Sequence, residues 1–151
     1  MPIPRSALAA VTVGGVLGAE ARYGLTLALP VQTGRFPWST LLINLTGSLL
    51  IGVLMAWLGR QATPRPLLRL FLGVGILGGY TTYSTFAVDV QQLLEAGRPL
   101  TALGYLAATV LGCAAVVWLA TVVSSAAAGR PTPGRADDEL AQAEPGGVAE
   151  R

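Results

Sequence analysis

Gly73-Val-Gly-Ile-Leu-Gly-Gly-Tyr-Thr-Thr-Tyr-Ser-Thr-Phe86 decides how this chain is read. Its first half continues a long apolar segment. Its second half holds the doublet Gly78-Gly79 and the hydroxyl run Thr81, Thr82, Ser84 and Thr85. In hydrocarbon every main-chain polar group must be satisfied, so an interruption of this kind survives only when it is buried in protein or lines a watery path. The stretch therefore predicts a helix broken at membrane depth.

The surrounding chain suits that reading. Of its 151 residues, 52% are hydrophobic and only 12% are charged, with a mean hydropathy of +0.59. This is the composition of an integral membrane protein. All ten basic residues are arginine, and the net charge of +2 is too small and scattered for a nucleic-acid footprint. Histidine is absent, which removes imidazole bases and His-ligated metals. The single Cys113 excludes an intrachain disulfide and a cysteine metal cluster. With no nucleophile–base pair or metal-ligand set, enzymatic chemistry is not expected.

Four apolar segments, about 6–29, 38–58, 67–94 and 100–127, each reach the roughly 20 residues that a spanning helix needs. Short loops bearing Pro, Gly and Arg separate them. Trp38 and Trp57 bracket the second segment, and at about 1.5 Å per residue they stand about 28 Å apart, matching a hydrocarbon core between aromatic belts. The third segment is too long for a straight span. Residues 1–128 thus form one four-helix transmembrane domain, followed by a polar tail (129–151) with a disordered composition. Arg5, Arg60, Arg65, Arg69, Arg130 and Arg135 share one side, against Arg35 and Arg98 on the other. That bias favours both termini in the cytoplasm.

Gly14-x-x-x-Gly18, Ser48-x-x-x-Gly52 and Gly75-x-x-x-Gly79 are spacings at which membrane helices approach closely. Asn44 sits mid-span with Thr40 and Ser48 on the same face. A buried amide there marks either an ion path or an interhelical tie. Tyr105 and Thr109 form a similar polar pair on the fourth span. Glu20 and Arg22 fall toward the end of the first, where Arg22 is either an anion-attracting charge or an interfacial anchor. Asp89 and Glu95 are expected at an interface. The break itself offers freed carbonyls that a weakly held monovalent cation could satisfy, and beyond it a helix N-terminus suited to an anion. Tyr83 and Phe86, three apart, put two rings on nearly one face, and their electropositive edges can line an anion path without trapping the ion.

These residues resemble the Fluc, or CrcB, family of fluoride channels. The resemblance rests on Gly14-Gly-Val-Leu-Gly-Ala-Glu-Ala-Arg-Tyr23, Thr40-Leu-Leu-Ile-Asn-Leu-Thr-Gly-Ser48 and Gly78-Gly-Tyr-Thr-Thr-Tyr-Ser-Thr-Phe86, and it covers about residues 6–128. It implies an all-α, antiparallel dual-topology dimer with two fluoride pores and a structural, untransported sodium ion at its centre. By position, Gly78 and Thr81 would give backbone carbonyls to sodium, and Asn44 would donate to fluoride. Phe86 matches one of two paired pore phenylalanines. Ser84, Tyr105 and Thr109 fall on a polar track, and Arg22 matches a first-span arginine. Tyr83 departs from the pattern, standing where the second phenylalanine usually is. The arginine bias departs too, which leaves a homodimer and a heterodimer with a paralogue both open. The expected function is passive fluoride export from the cytoplasm through the cell membrane. Glu20 is not explained by the resemblance; it would serve the rival reading, a four-span proton-coupled multidrug antiporter.

Overall fold

The computed structural model describes residues 4–31, 34–61 and 63–127; the polar tail expected at 129–151, with Arg130 and Arg135, lies outside them. Among the described residues there are helices and connecting loops and no strand.

Proline and glycine punctuate the chain where their backbone preferences predict. Helix α1 (Arg5–Ala28) follows Pro4, whose carbonyl accepts from the N–H groups of Ala7 and Leu8. Helix α2 (Trp38–Leu58) follows Pro37 and stops at Gly59. Helix α3 (Pro66–Arg69) begins on a proline, which lacks only an N–H that the first turn cannot use. It runs into a π-helical segment (Leu70–Leu77) and a short turn, α4 (Gly78–Tyr80). Helix α5 (Ser84–Glu95) ends in a reverse turn in which Gly97, at φ +69°, takes the left-handed conformation. There Gly97 N–H donates to Leu94 and Arg98 N–H to Leu93, satisfying two terminal carbonyls. Helix α6 (Pro99–Ala127) starts on the next proline.

The helices pair in two groups. Helix α1 lies along the arm made of α3, the π-helical segment and α4, while α2 packs along α6 and α5 leans on α6. Small residues set the first contact. A Cβ added to Gly75 would come within 2.9 Å of Gly14 Cα, and one on Gly18 would run into the Ile76 carbonyl. One on Gly79 would run into the Gly15 carbonyl. The two glycine spacings read from the sequence therefore face each other, backbone against backbone. Gly52 allows a similar close approach of α2 and α6, where an added Cβ would come within 2.8 Å of the Ala120 methyl.

The main buried cluster lies in the second group, where Leu41, Phe86, Leu93, Ala102 and Tyr105 pack with Phe36, Leu45 and Val90, while Ala7, Leu77 and Ala120 are buried singly elsewhere. Elsewhere large apolar side chains face outward, including Leu100, Leu111 and Trp118. Helix α2 and residues Pro99–Ser124 are long and apolar enough to cross a membrane, and only 28% and 11% of their apolar windows are buried within the chain. Apolar surface on that scale needs lipid or another subunit to cover it.

Candidate functional site

The helical run lapses at Thr81–Tyr83, where Thr81 is extended (φ −75°, ψ 159°). The freed backbone is held from outside. Asn44, on α2, accepts from Thr82 N–H through Oδ1 at 3.0 Å and donates through Nδ2 to the Thr82 carbonyl, also at 3.0 Å. One carboxamide thus replaces both hydrogen bonds that the main chain of Thr82 has lost. This uses only one of the two Nδ2 hydrogens, leaving the second as a donor. Both residues are buried, where an unpaired amide would cost about 1–3 kcal/mol. The structure thus makes Asn44 an interhelical tie, and the same residue lines the cleft beside the break.

The rest of the hydroxyl run caps the new helix. Thr82 Oγ1 accepts from Thr85 N–H at 3.1 Å, the interaction that starts α5. It also lies 3.0 Å from Thr85 Oγ1 and 3.3 Å from Ser84 Oγ. Thr81 turns back instead, its N–H and Oγ1 both donating to the Leu77 carbonyl at 3.0 Å. In an unbroken helix the carbonyls of Gly78 and Gly79 would accept from Thr82 and Tyr83, and that of Thr81 from Thr85. Thr82 and Thr85 donate elsewhere, and among the described residues Tyr83 N–H donates to neither glycine carbonyl. Gly78 is exposed and Thr81 is half-buried.

Beside the break lies a cleft of about 430 Å³. It brings together Asn44, Gly78, Thr81, Tyr83, Phe86 and Thr109, with Ser48 and Cys113 further along. No Asp, Glu, Lys or Arg lines it. Its polar surface is amide, hydroxyl, thiol and carbonyl. The two rings differ in setting: Phe86 is buried, Tyr83 is 80% exposed, and their centroids are 5.9 Å apart. Thr109 Oγ1 is buried without a hydrogen-bond partner, which a dry core rarely permits.

Three expected site residues lie outside the cleft. Ser84 is exposed just beyond it. Tyr105 is fully buried behind Phe86, with centroids 5.3 Å apart. Arg22 is half-buried on α1, in register with Gly14 and Gly18 and thus one turn past the contact of Gly18 with α4. Glu20 is exposed on α1 and does not line the cleft.

Asp89 has a partner that the sequence did not reveal. Asp89, expected at an interface, is buried and accepts from the Tyr105 hydroxyl through Oδ2 at 3.1 Å. Asp89 lies three residues after Phe86 and so shares its face of α5, and α5 turns that face toward α6. The spacing was legible; the partner on α6 was not. Thr82 is the other residue that sequence reading undervalued: its main chain pairs with Asn44 while its hydroxyl accepts from Thr85 N–H.

The chain matches the family model described as CrcB-like protein, Camphor Resistance (CrcB), over residues 9–121. It is 49% identical over 102 residues to a protein of Streptomyces avermitilis named fluoride-specific ion channel FluC 2, covering 68% of this chain and 65% of that one. Proteins of the same name from Nocardia farcinica and Thermobifida fusca are 46% identical over 120 residues and 48% identical over 122 residues. Those alignments cover 80% and 81% of this chain, and 86% and 85% of the relatives.

Proposed function

This chain belongs to the CrcB family, and on that premise we propose that it is a fluoride-specific ion channel of the cell membrane, letting fluoride leave the cytoplasm passively. It is a channel protein and not an enzyme. The observation that carries the reading is the uncharged cleft at the helix break, where Asn44, Tyr83, Phe86 and Thr109 converge. A small, strongly hydrated anion must exchange its water for other donors if it is to enter a narrow path. The second Nδ2 hydrogen of Asn44, the free Thr109 hydroxyl and the ring edges of Phe86 and Tyr83 are such donors. None carries a fixed positive charge that would hold the ion in place.

The carbonyls of Gly78 and Thr81 suit a structural sodium ion. They are hard oxygen ligands without their helical donors, and among the described residues no cluster of three His, Cys, Asp or Glu offers a competing metal site. A sodium ion there would supply positive charge that satisfies these oxygens. Two carbonyls cannot fill a coordination sphere, so the site is completed by a second copy or by a paralogue, packed antiparallel. The outward apolar surface of α2 and α6 supports such an assembly within a lipid bilayer. The four helical segments then form a transmembrane domain over residues 1–128, interrupted at Thr81–Tyr83.

The test is fluoride efflux from liposomes that contain only this chain, with sodium present and with sodium replaced by a bulky organic cation. Fluoride-selective efflux that depends on sodium is expected. Absence of efflux from well-folded protein would leave the self-sufficient homodimer untenable, and recovery on adding a paralogue would identify the heterodimer. Retained efflux in Glu20→Gln is expected as well; loss of proton-coupled drug efflux in that variant would favour an antiporter instead.

A further inference from the structure

A second cleft, about 730 Å³, opens at the end of the molecule where α1 finishes and α2 and α6 begin. Arg35 and Arg98 both line it, from the loops before α2 and α6. Among the described residues neither guanidinium has an acidic partner: Glu95, the acid closest to Arg98 in sequence, accepts instead from Gln91 Nε2 at 2.8 Å. The first turns of two long helices, α2 and α6, stand at the same place, and their positive ends add to the field of the two arginines. Ser39 supplies an independent observation. It is 1% exposed and lines this cleft, so a hydroxyl stands at the cleft wall. A hydroxyl beside two guanidiniums that lack acidic partners adds a third donor for the oxygens of one anion.

Size and surroundings decide which anion. A volume of this order belongs with pockets of about 300–1,000 Å³, which enclose a molecule of many atoms and not a bare halide. The cleft wall is also apolar, through Leu29, Val31 and Trp38. Trp38 is exposed at the rim, and Leu27 and Leu100 stand exposed on the adjoining helices. A tryptophan at the end of a membrane span marks the headgroup level. The geometry points to a binding site for the phosphate of an anionic membrane phospholipid, held by Arg35, Arg98 and Ser39, with its acyl chains over the neighbouring apolar surface. Guanidinium forks match phosphate oxygens two at a time, which is why arginine suits this task. The site is separate from the ion path and stands whether or not fluoride is the permeant ion.

The test uses the full chain, released from vesicles of equimolar phosphatidylglycerol and phosphatidylcholine and analysed by native mass spectrometry for retained lipid. An arginine near a membrane surface is worth about fivefold in affinity for anionic lipid. The wild type is therefore expected to retain phosphatidylglycerol over phosphatidylcholine by at least about fivefold. The double variant Arg35→Gln, Arg98→Gln, whose side chains are exposed, is expected to lose that preference, whereas Arg60→Gln, Arg65→Gln at the other end keeps it. Equal retention of the two lipids by the wild type, or an undiminished preference in the first double variant, would overturn the proposal. So would displacement of phosphatidylglycerol by millimolar inorganic phosphate, which would assign the cleft to a free anion.

Discussion

Asn44 combines a structural contact with a proposed role in the ion path. Its carboxamide pairs with the N–H and the C=O of Thr82, so Asn44→Ala strands two buried main-chain groups at about 1–3 kcal/mol each. Asn44→Asp keeps the shape and the acceptor but sets an oxygen against the Thr82 carbonyl. Both variants are expected to lower thermal stability and to abolish fluoride efflux. Thr109 separates the two roles. Its hydroxyl has no partner to lose, so Thr109→Val should leave the melting temperature unchanged or raised while efflux falls at least about tenfold, the equivalent of 1.4 kcal/mol on a barrier. Unaltered efflux in Thr109→Val would take the path away from this hydroxyl. Phe86 is buried against Tyr105, so Phe86→Ile should cost packing as well as flux. Tyr83 is exposed, and Tyr83→Phe should be stable and conduct at least as well as the wild type.

Among the elements, the contact of α1 with the π-helical arm is the most sensitive. Its backbones meet at Gly14, Gly18, Gly75 and Gly79 with no room for a methyl group. Gly79→Ala would press a Cβ into the Gly15 carbonyl, and because both partners are main chain neither can rotate away. Overpacking of this kind costs about 1–3 kcal/mol. Gly104 in α6 is the internal control, with nothing within 4 Å of its added Cβ. There alanine relieves the helix cost of glycine, worth up to about 1 kcal/mol. Thermal melts in detergent should therefore move in opposite directions for Gly79→Ala and Gly104→Ala, and a shared direction would mean that the glycine contact is loose. These motifs could be read from spacing alone. That they face each other could not, since small-residue spacings also occur on α2 and mate there with α6.

At the scale of the whole molecule the chain is unfinished by itself. Its main buried cluster belongs to one helix group, and only 28% and 11% of the apolar windows of α2 and α6 are buried within the chain. Sodium dependence is the measurement that tests how it is completed. If the carbonyls of Gly78 and Thr81 meet a cation between two copies, removing sodium should lower efflux and shift the protein toward monomer in the same concentration range. Efflux that is indifferent to sodium would separate the helix break from any metal role.

Composition and apolar run length by themselves determined that this is an all-helical membrane protein, because hydrocarbon admits few other spanning structures. Local chemistry marked Gly73–Phe86 as its interruption, since glycine and hydroxyl runs oppose a simple span wherever they occur. Only the tertiary structure decided which groups satisfy that interruption. Asn44 lies 38 residues from Thr82 and reaches it because α2 passes the break; no periodicity encodes that pairing. Asp89 carries the same lesson: its charge is plain in the sequence, but its partner Tyr105 on α6 is set by packing. What a polar residue does in a membrane fold depends on the partner across the helix contact, and partners far apart in sequence are brought together only by packing.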